Sequence, residues 1–230
     1  MKMAARRIVV LGGSGFVGSA LVARLAAQGD TVVVPVRRRA PARHLILLPT
    51  VDVVEADVHD PATLAALVRG ADAVVNLVGI LNESGRTTFE RVHADLTRGA
   101  VDACRAGGVR RLLHMSALNA DPAGPSRYLR SKGEAEAAVV ASGLAWTIFR
   151  PSVIFGAGDS FLTLFARLAQ ALPVIALAAP DARFQPVHVG DVVTAFARSL
   201  DLPSTEGRCF DLCGPTVYTL RELVRFAAET

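Results

Sequence analysis

Three polar side chains near the middle of the chain have types and a spacing suited to moving a proton. Tyr128 and Lys132 stand four positions apart in the segment YLRSK, and Ser116 precedes Tyr128 by twelve positions. On a helix, residues i and i+4 share a face, so the phenol and the ammonium can address the same ligand. Because a neighbouring ammonium favours the phenolate, we expect the pKa of Tyr128 to fall below its ordinary value of about 10. The set predicts acid or base catalysis by Tyr128, with Lys132 tuning the phenol and Ser116 holding a substrate oxygen.

A glycine-rich segment lies between an apolar run and a helical pattern near the start of the chain. Its glycines fit both G-x-x-G-x-x-G and G-x-G-x-x-G. Glycine there permits a sharp turn and a close approach of backbone to a pyrophosphate, while the first amides of the helix face the anion. The alternative is a glycine-rich turn without a ligand. The predicted dinucleotide loop comprises Gly12, Gly13, Ser14, Gly15, Phe16, Val17 and Gly18.

Consecutive arginines follow the second predicted strand, at the position where an NAD-preferring site usually has an acidic residue. A carboxylate there would repel a 2′-phosphate. Arg37, with Arg38 as the second candidate, can bind such a phosphate through paired charged hydrogen bonds. The sequence therefore favours NADP(H) as cofactor, with NAD(H) as the alternative. Arg39 is expected on a solvated face.

Further candidate cofactor contacts follow the ends of later strands, where backbone lines the crevice of a doubly wound sheet. Asp57 stands where it could reach the adenine amino group, but it could equally cap a helix that begins at Pro61. Lys132 could also hydrogen-bond the nicotinamide ribose. The remaining predicted contacts are Val58, Leu77, Val78, Gly79 and Pro151.

Alternating apolar runs and helical patterns must position these residues. Strands are predicted over 7–12, 31–37, 51–57, 71–79, 109–117 and 144–152, with helices over 15–29, 61–71, 87–106 and 126–143. Strands separated by helices imply repeated βαβ units, hence a parallel sheet with helices on both faces. The predicted fold class is α/β, a doubly wound nucleotide-binding sheet. We expect this domain to occupy residues 1–155.

The pattern is less regular after residue 155. We expect residues 156–230 to form a small substrate-side lobe that is interleaved with the main domain. Because the chain ends inside a helical pattern, this lobe is expected to be incomplete at its C-terminus.

Composition excludes several function classes. Residues 1–43 contain eight Lys or Arg and one acidic residue, whereas the rest of the chain contains 17 basic and 20 acidic residues. A nucleic-acid binder usually repeats a basic face with interleaved aromatics, so no nucleic-acid partner is expected. The three cysteines are sparse and fit a reducing compartment, and no metal site is expected.

No segment has the layout of a signal peptide, and we expect a cytoplasmic protein. The most apolar stretch, residues 161–180, carries Arg167, Gln170 and Pro173. It falls short of the roughly 18 uninterrupted apolar residues of a membrane span. Contact with a membrane surface is the alternative to a buried helix, turn and strand.

In combination, these motifs resemble the extended and atypical short-chain dehydrogenase/reductase families, which are epimerase- and dehydratase-like. The resemblance covers nearly the whole chain. It implies a Rossmann fold, a bound dinucleotide and, in the active branches, hydride transfer assisted by a Ser/Tyr/Lys set. The segments NLVGIL, HMSALNADPAGPSRYLRSKGEAE and WTIFRPSVIFGAGDSFL are most similar to the subgroup that includes the nucleotide-binding accessory subunit of respiratory complex I.

Three functions follow from this reading. The first is an NADP(H)-dependent oxidoreductase that acts on an unknown small-molecule carbonyl or alcohol. The second is a catalytically idle dinucleotide-binding scaffold or accessory protein, with association to a membrane surface or a respiratory complex. The third is a sensor of the NADPH/NADP ratio. The helices beginning near Thr87 and Ser126 could form a homodimer seam or simply cover the sheet.

Overall fold

The computed structural model describes residues 5–171 and 177–229 and is built on a parallel sheet. Its strands are β1 (Arg7–Leu11), β2 (Thr31–Val36), β3 (Val51–Glu55), β4 (Ala73–Asn76), β5 (Arg111–Met115), β6 (Ala145–Pro151), β7 (Ile154–Phe155), β8 (Arg183–Phe184), β9 (Val187–His188), β10 (Arg208–Leu212) and β11 (Tyr218–Thr219). Its helices are α1 (Phe16–Gln28), α2 (Arg43–Ile46), α3 (Pro61–Val68), α4 (Leu96–Gly107), α5 (Arg127–Val140), α6 (Phe161–Ala171), α7 (Val189–Ser199) and α8 (Leu220–Glu229).

The order of the strands defines the crevice. The main sheet has seven strands in the order β10-β6-β5-β4-β1-β2-β3, and each neighbouring pair is parallel. The chain runs outward from β1 through β2 to β3, then crosses back and continues outward from β4 to β6. The order therefore reverses between β1 and β4, which is the switch point where doubly wound folds bind their ligands. The predicted fold class is confirmed.

Helices cover both faces of this sheet, so its strands are apolar on both sides. Along β1, Ile8 and Val10 pack in a cluster with α1 and α7, whereas Val9 and Leu11 pack in a second cluster with α3 and α4. Successive side chains of a strand point to opposite faces, which produces this alternation. All four side chains are fully buried. The carboxyl end of β1, where the glycine-rich loop begins, is thereby held rigidly between two packed layers.

The segments after residue 155 divide between two places. Helix α7 packs against α1, and β10 extends the main sheet beside β6. Helices α6 and α8 instead pack on each other, next to the antiparallel pair of β8 and β11. Chain beyond the predicted boundary at residue 155 thus contributes to the main sheet as well as to a smaller cluster.

The predicted helix over residues 87–106 is interrupted. Residues Glu90–Asp95 form a widened π-helical turn, and the regular helix α4 begins only at Leu96. Such widened turns inside helices are often found at functional sites. This turn buries Val92, His93 and Ala94.

Within the described ranges, none of the helices is both long enough and apolar enough to cross a membrane. Residues 172–176, part of the stretch for which membrane contact was the alternative, lie outside the described residues.

Candidate functional site

A cavity of about 780 Å³ lies at the carboxyl ends of β1 to β4. Its walls come from the glycine-rich loop, from the segments that follow β2, β3 and β4, and from the chain before α4. The lining residues are Gly12, Ser14, Gly15, Pro35, Val36, Arg37, Glu55, Ala56, Asp57, Val58, His59, Leu77, Val78, Gly79, Ile80, Arg86, Thr87, Arg91 and Val92. The predicted contacts Val58, Leu77, Val78 and Gly79 are all brought to this cavity.

Two glycines make the loop geometry possible. Gly12 has φ +79°, a left-handed conformation that favours glycine, and a Cβ added there would lie 3.0 Å from the carbonyl carbon of Leu77. A Cβ added to Gly18 would lie 2.2 Å from the carbonyl oxygen of Gly12, so α1 packs directly on the turn. Gly15 precedes the helix without a side-chain cap, which leaves the first amides of α1 for an anion. This cradle fits a dinucleotide pyrophosphate.

The remaining residues of the predicted loop differ from Gly12, Ser14 and Gly15 in their surroundings. Gly13, Phe16, Val17 and Gly18 are not among the residues that line the cavity. Gly13 is buried against Val34, and Val17 packs in the apolar core between α1 and the sheet. Cofactor contact at these four positions stays a prediction, because the first backbone amides of a helix can reach an anion even where the side chains face inward. The burial of Val17 and Gly18 also packs α1 against the sheet, since one side of an amphipathic helix faces the core.

Positive charge surrounds part of the cavity. Arg37 lines it, together with Arg86 and Arg91 from the segment before α4. The pKa of His59 is lowered by burial and by the charges of Arg91 and Arg37, so both guanidinium groups act on the same wall. Arg38, the second predicted phosphate ligand, is exposed and does not line the cavity, because neighbouring side chains at a strand end point to opposite sides.

Asp57 lines the cavity, and its Oδ1 accepts a hydrogen bond from the amide of His59 at 2.9 Å. The helix cap belongs to Asp60, whose Oδ2 accepts from the amide of Thr63 at 2.8 Å. Asp60 immediately precedes Pro61 and is therefore placed to cap α3. Of the two alternatives for Asp57, the helix cap is wrong.

Helix α5 places Lys132 against the end of β5. Ser126 starts the helix by accepting a hydrogen bond from the amide of Leu129 at 3.1 Å. The Lys132 side chain is buried, and its Nζ donates to the carbonyl oxygen of Met115 at 3.2 Å. The next residue, Ser116, is also buried, and its Oγ has no hydrogen-bond partner within the described part of the chain. A buried hydroxyl without a partner is costly, and the oxygen of a bound ligand would satisfy it.

Burial controls the proton affinities of these groups. It lowers the pKa of Lys132 to about 8, against an opposing effect of the Glu136 carboxylate. It raises the pKa of Tyr128, contrary to the expectation that a nearby ammonium would lower it. The low-polarity surroundings disfavour the charged form of both groups, and burial is the largest cause of both shifts.

The face of α5 that carries Tyr128 and Lys132 continues to Glu136, which anchors the helix to β6. The Nε of Arg150 donates to Oε1 of Glu136 at 2.8 Å, and a second, short contact joins the same two side chains. The predicted contact Pro151 is buried at the end of β6, where its carbonyl oxygen accepts from the amide of Leu118 at 3.0 Å. Pro151 does not line the cavity.

His93 joins the site from the widened turn, and no sequence motif indicates it. Its Nε2 accepts from the amide of Ile80 at 3.1 Å, and its Nδ1 lies 2.8 Å from the Oγ of Ser131 on α5. Its ring is stacked on Phe89 and meets the ring of Tyr128 edge-on, with centroid distances of 5.5 Å in both cases. A histidine on an apolar helical pattern resembles an ordinary core residue, so only the tertiary structure identifies it.

A second cavity, of about 500 Å³, lies in the smaller cluster, between β7, α8 and the loop after β10. Its apolar walls include Phe155, Leu162, Pro186 and Leu223. In residues 5–171 and 177–229, no three His, Cys, Asp or Glu residues are grouped so that they could hold a metal ion.

Solved structures share this architecture. A dTDP-glucose 4,6-dehydratase from Streptomyces venezuelae superimposes with a TM-score of 0.83 at 23% identity, covering 97% of this chain and 80% of the other. A UDP-glucose 4-epimerase from Thermus thermophilus gives a TM-score of 0.81 at 24% identity, over 97% of this chain and 82% of the other. At these identities the likeness establishes the fold.

Relatives found by sequence comparison have higher identities to this chain than these solved structures. The chain is 35% identical, over 93% of its length and 55% of the relative, to NADH dehydrogenase [ubiquinone] 1 alpha subcomplex subunit 9 of Arabidopsis thaliana. It is 34% identical, over 96% of its length and 69% of the relative, to ceramide reductase of Caulobacter vibrioides. The chain spans little more than half the length of the complex I subunits that it matches.

The family described as NAD(P)H-binding matches residues 12–160, a range that contains both the glycine-rich loop and the Tyr128 and Lys132 pair. The resemblance to epimerase- and dehydratase-like short-chain dehydrogenases, and to the complex I subunit group, is thereby confirmed. The chain belongs to the NAD(P)H-binding Rossmann family, among relatives that include a respiratory complex I subunit and a ceramide reductase.

Proposed function

We propose that the protein is an NADP(H)-dependent oxidoreductase that reduces a carbonyl group to an alcohol. The observation that carries this proposal is the position of the buried Lys132 ammonium. It contacts the end of β5 just before Ser116, whose Oγ has no hydrogen-bond partner among residues 5–171 and 177–229. A Cβ added to Gly79 would lie 3.2 Å from the Lys132 Nζ. Gly79 lines the dinucleotide cavity, so the Lys132 ammonium borders the space in which we place the nicotinamide.

The chain's own residues handle the substrate oxygen. The dinucleotide, when bound, supplies the hydride. Ser116 Oγ donates a hydrogen bond to the carbonyl oxygen, which satisfies its own buried hydroxyl and orients the substrate. The Tyr128 hydroxyl then gives its proton to the same oxygen, and the Lys132 charge stabilises the phenolate that remains. The raised pKa of Tyr128 keeps the phenol protonated at neutral pH, which suits an acid in the reductive direction.

The preference for NADP(H) is supported by the charges around the cavity. Arg37 follows β2 at the position that faces the adenosine ribose in this fold, and Arg86 and Arg91 line the same cavity. Guanidinium groups bind phosphate through paired charged hydrogen bonds. Glu55 and Asp57 also line the cavity, and their negative charges offset part of this positive charge. We therefore expect NAD(H) to bind as well, but more weakly than NADP(H).

The test is oxidation of NADPH in the presence of a carbonyl panel that includes long-chain ketones, since one relative is named ceramide reductase and another is named for an alkanoyl-bearing substrate. We expect turnover in the wild type and a loss of at least about a hundredfold in Tyr128→Phe. Equal turnover in wild type and Tyr128→Phe would contradict the catalytic role.

A second candidate is a non-catalytic dinucleotide-binding accessory protein. The similarity to proteins named as complex I subunits favours it. It predicts a selective shift of the melting temperature by NADPH without turnover on any carbonyl, because a bound ligand stabilises the native state whether or not it reacts. Association with a respiratory complex or a membrane surface, and homodimer formation, belong to this proposal as partners.

A further inference from the structure

We propose that His93 is a positioning residue that fixes the loop after β4, which lines the dinucleotide cavity, to the helix that carries Tyr128 and Lys132. This inference rests on the proposed function, because it concerns the same site. It assigns a role to a residue that takes no part in the proton transfer itself.

The hydrogen bonds of the ring have one consistent direction. The Ile80 amide can only donate, so Nε2 of His93, 3.1 Å away, accepts. In a neutral imidazole the proton then resides on Nδ1, which donates to the Oγ of Ser131 at 2.8 Å. The Ser131 hydroxyl in turn donates a hydrogen bond to the carbonyl oxygen of Tyr128 at 2.8 Å. A continuous chain of hydrogen bonds therefore joins Ile80 to the backbone of Tyr128.

Packing holds the ring in this position. His93 is 1% exposed, and its ring packs against Phe89 and Tyr128, whose rings also contact each other. Burial and the nearby Lys132 charge lower its pKa to about 3, so the ring stays neutral and keeps this tautomer across the physiological range. Both ring nitrogens are occupied by the chain, which fits positioning and leaves no nitrogen to bind substrate.

The loop, the ring and the catalytic ammonium meet at one point. A Cβ added to Gly79 would lie 3.2 Å from Nζ of Lys132 and 3.6 Å from Nε2 of His93. Gly79 and Ile80 both line the dinucleotide cavity. A shift of this loop relative to α5 would therefore change the distance between a bound nicotinamide and Tyr128. The widened turn Glu90–Asp95 is the element that brings the ring to this junction.

The first test uses the ligand-free wild type. Nitrogen-15 NMR of the histidine rings should show His93 as the Nδ1-protonated tautomer, with no titration between pH 5 and pH 8. The Ile80 amide should exchange slowly with solvent. An Nε2-protonated ring, or a ring that titrates near pH 6.5, would overturn the inference. These measurements need no bound nucleotide and no turnover, so they stand even if the proposed function fails.

The second test uses two variants with matched controls. His93→Phe keeps ring volume and removes both nitrogens, and Ser131→Ala removes only the link to α5. We expect His93→Phe to speed Ile80 amide exchange and to weaken NADPH binding by about tenfold, because the amide loses its acceptor. Ser131→Ala should leave Ile80 protected but weaken NADPH binding severalfold. The controls are His44→Phe, at an exposed histidine, and Ser199→Ala, at a buried helical serine that also donates to a backbone carbonyl.

The outcomes separate the two claims. Unchanged Ile80 exchange and NADPH affinity in His93→Phe would overturn the positioning role. If His93→Phe does not fold, Ser131→Ala and the wild-type tautomer decide the question. Absence of NADPH binding by the wild type would contradict the proposed function, while the ring measurements would still report on His93.

Discussion

At the scale of single residues, burial decides what each polar group can do. The pKa of Lys132 is lowered to about 8, whereas the pKa of Tyr128 is raised. Near neutral pH the ammonium is therefore still charged and the phenol still carries its proton. This pairing suits a site that gives a proton to a substrate oxygen and then stabilises the resulting phenolate.

The Lys132 pKa leads to a prediction about pH. As pH rises through about 8, the ammonium loses its proton, and the phenolate left after proton transfer loses its stabilising charge. We expect kcat for carbonyl reduction to fall with rising pH above this value. Lys132→Arg, which stays charged, should move the fall to higher pH. A kcat that is constant up to pH 10 in the wild type would contradict this role.

We expect Arg37 to decide the preference between NADPH and NADH. Arg37→Asp should weaken NADPH binding by about tenfold or more and leave NADH binding nearly unchanged, because the lost contact is to the 2′-phosphate alone. Arg38→Asp is the matched control, since its side chain does not line the cavity and the change in net charge is the same. Calorimetric titration measures both. Equal losses in the two variants would indicate a general charge effect instead.

Some residues of the candidate site can be identified from the sequence, and others cannot. The glycine-rich loop, Lys132 and Ser116 could be predicted, because each stands at a fixed offset from a strand end or within a known motif. Arg91 and His93 could not, because they lie in a helical segment whose pattern gives no strand end to count from. The direction of the Tyr128 pKa shift also required the structure, since burial of the phenol raises it.

At the scale of elements, the packing of α1 on the glycine-rich loop makes the cavity. Gly18→Ala would place a Cβ 2.2 Å from the carbonyl oxygen of Gly12, where neither backbone can yield easily. We expect a loss of about 1–3 kcal/mol in the free energy of unfolding, with weaker NADPH binding. Denaturant titration measures this loss.

A glycine on another helix provides the control. In Gly99→Ala, on α4, the added Cβ would make an ordinary contact at 3.7 Å with Leu64. Alanine is the better helix former, so this variant should gain about 0.5–1 kcal/mol. If both variants change stability in the same direction and by the same amount, the close approach at Gly18 has no special role.

Hydrophobic periodicity predicted the main strands and helices, because it reports which face of an element is buried. It could not predict the widened turn at Glu90–Asp95, since a change of hydrogen-bonding register leaves the pattern of apolar residues nearly intact. Strand β10 lies at the edge of the main sheet, beside β6. Its place beside β6 depends on pairing between residues about 60 positions apart, which local patterns do not encode.

At the scale of the whole molecule, two buried histidines make stability depend on pH. His93 and His114 both have a pKa lowered to about 3, mainly by burial. Below the unfolded value of about 6.5 the unfolded chain binds more protons than the native state, so stability is present above that pH and is lost as pH falls. As pH falls from 6.5 to 4, we expect each histidine to lower the folding equilibrium constant by about tenfold per pH unit.

Denaturant titrations between pH 7 and pH 4 measure this dependence. His93→Phe should reduce its slope by about one proton, provided that the variant folds. His44→Phe serves as the control, because it replaces a histidine that is exposed and not buried. If the free energy of unfolding does not change over this pH range, protonation of the buried histidines does not destabilise the native state, and the prediction is wrong.

The central claim is that the cavity beside Lys132 and Ser116 holds a dinucleotide, with NADPH preferred. Calorimetric titration of the wild-type protein with NADPH and with NADH tests it most directly. The account predicts one site per chain and an affinity for NADPH at least about tenfold higher than for NADH. Equal affinities would contradict the role of Arg37, and absence of binding by both nucleotides would contradict the claim itself.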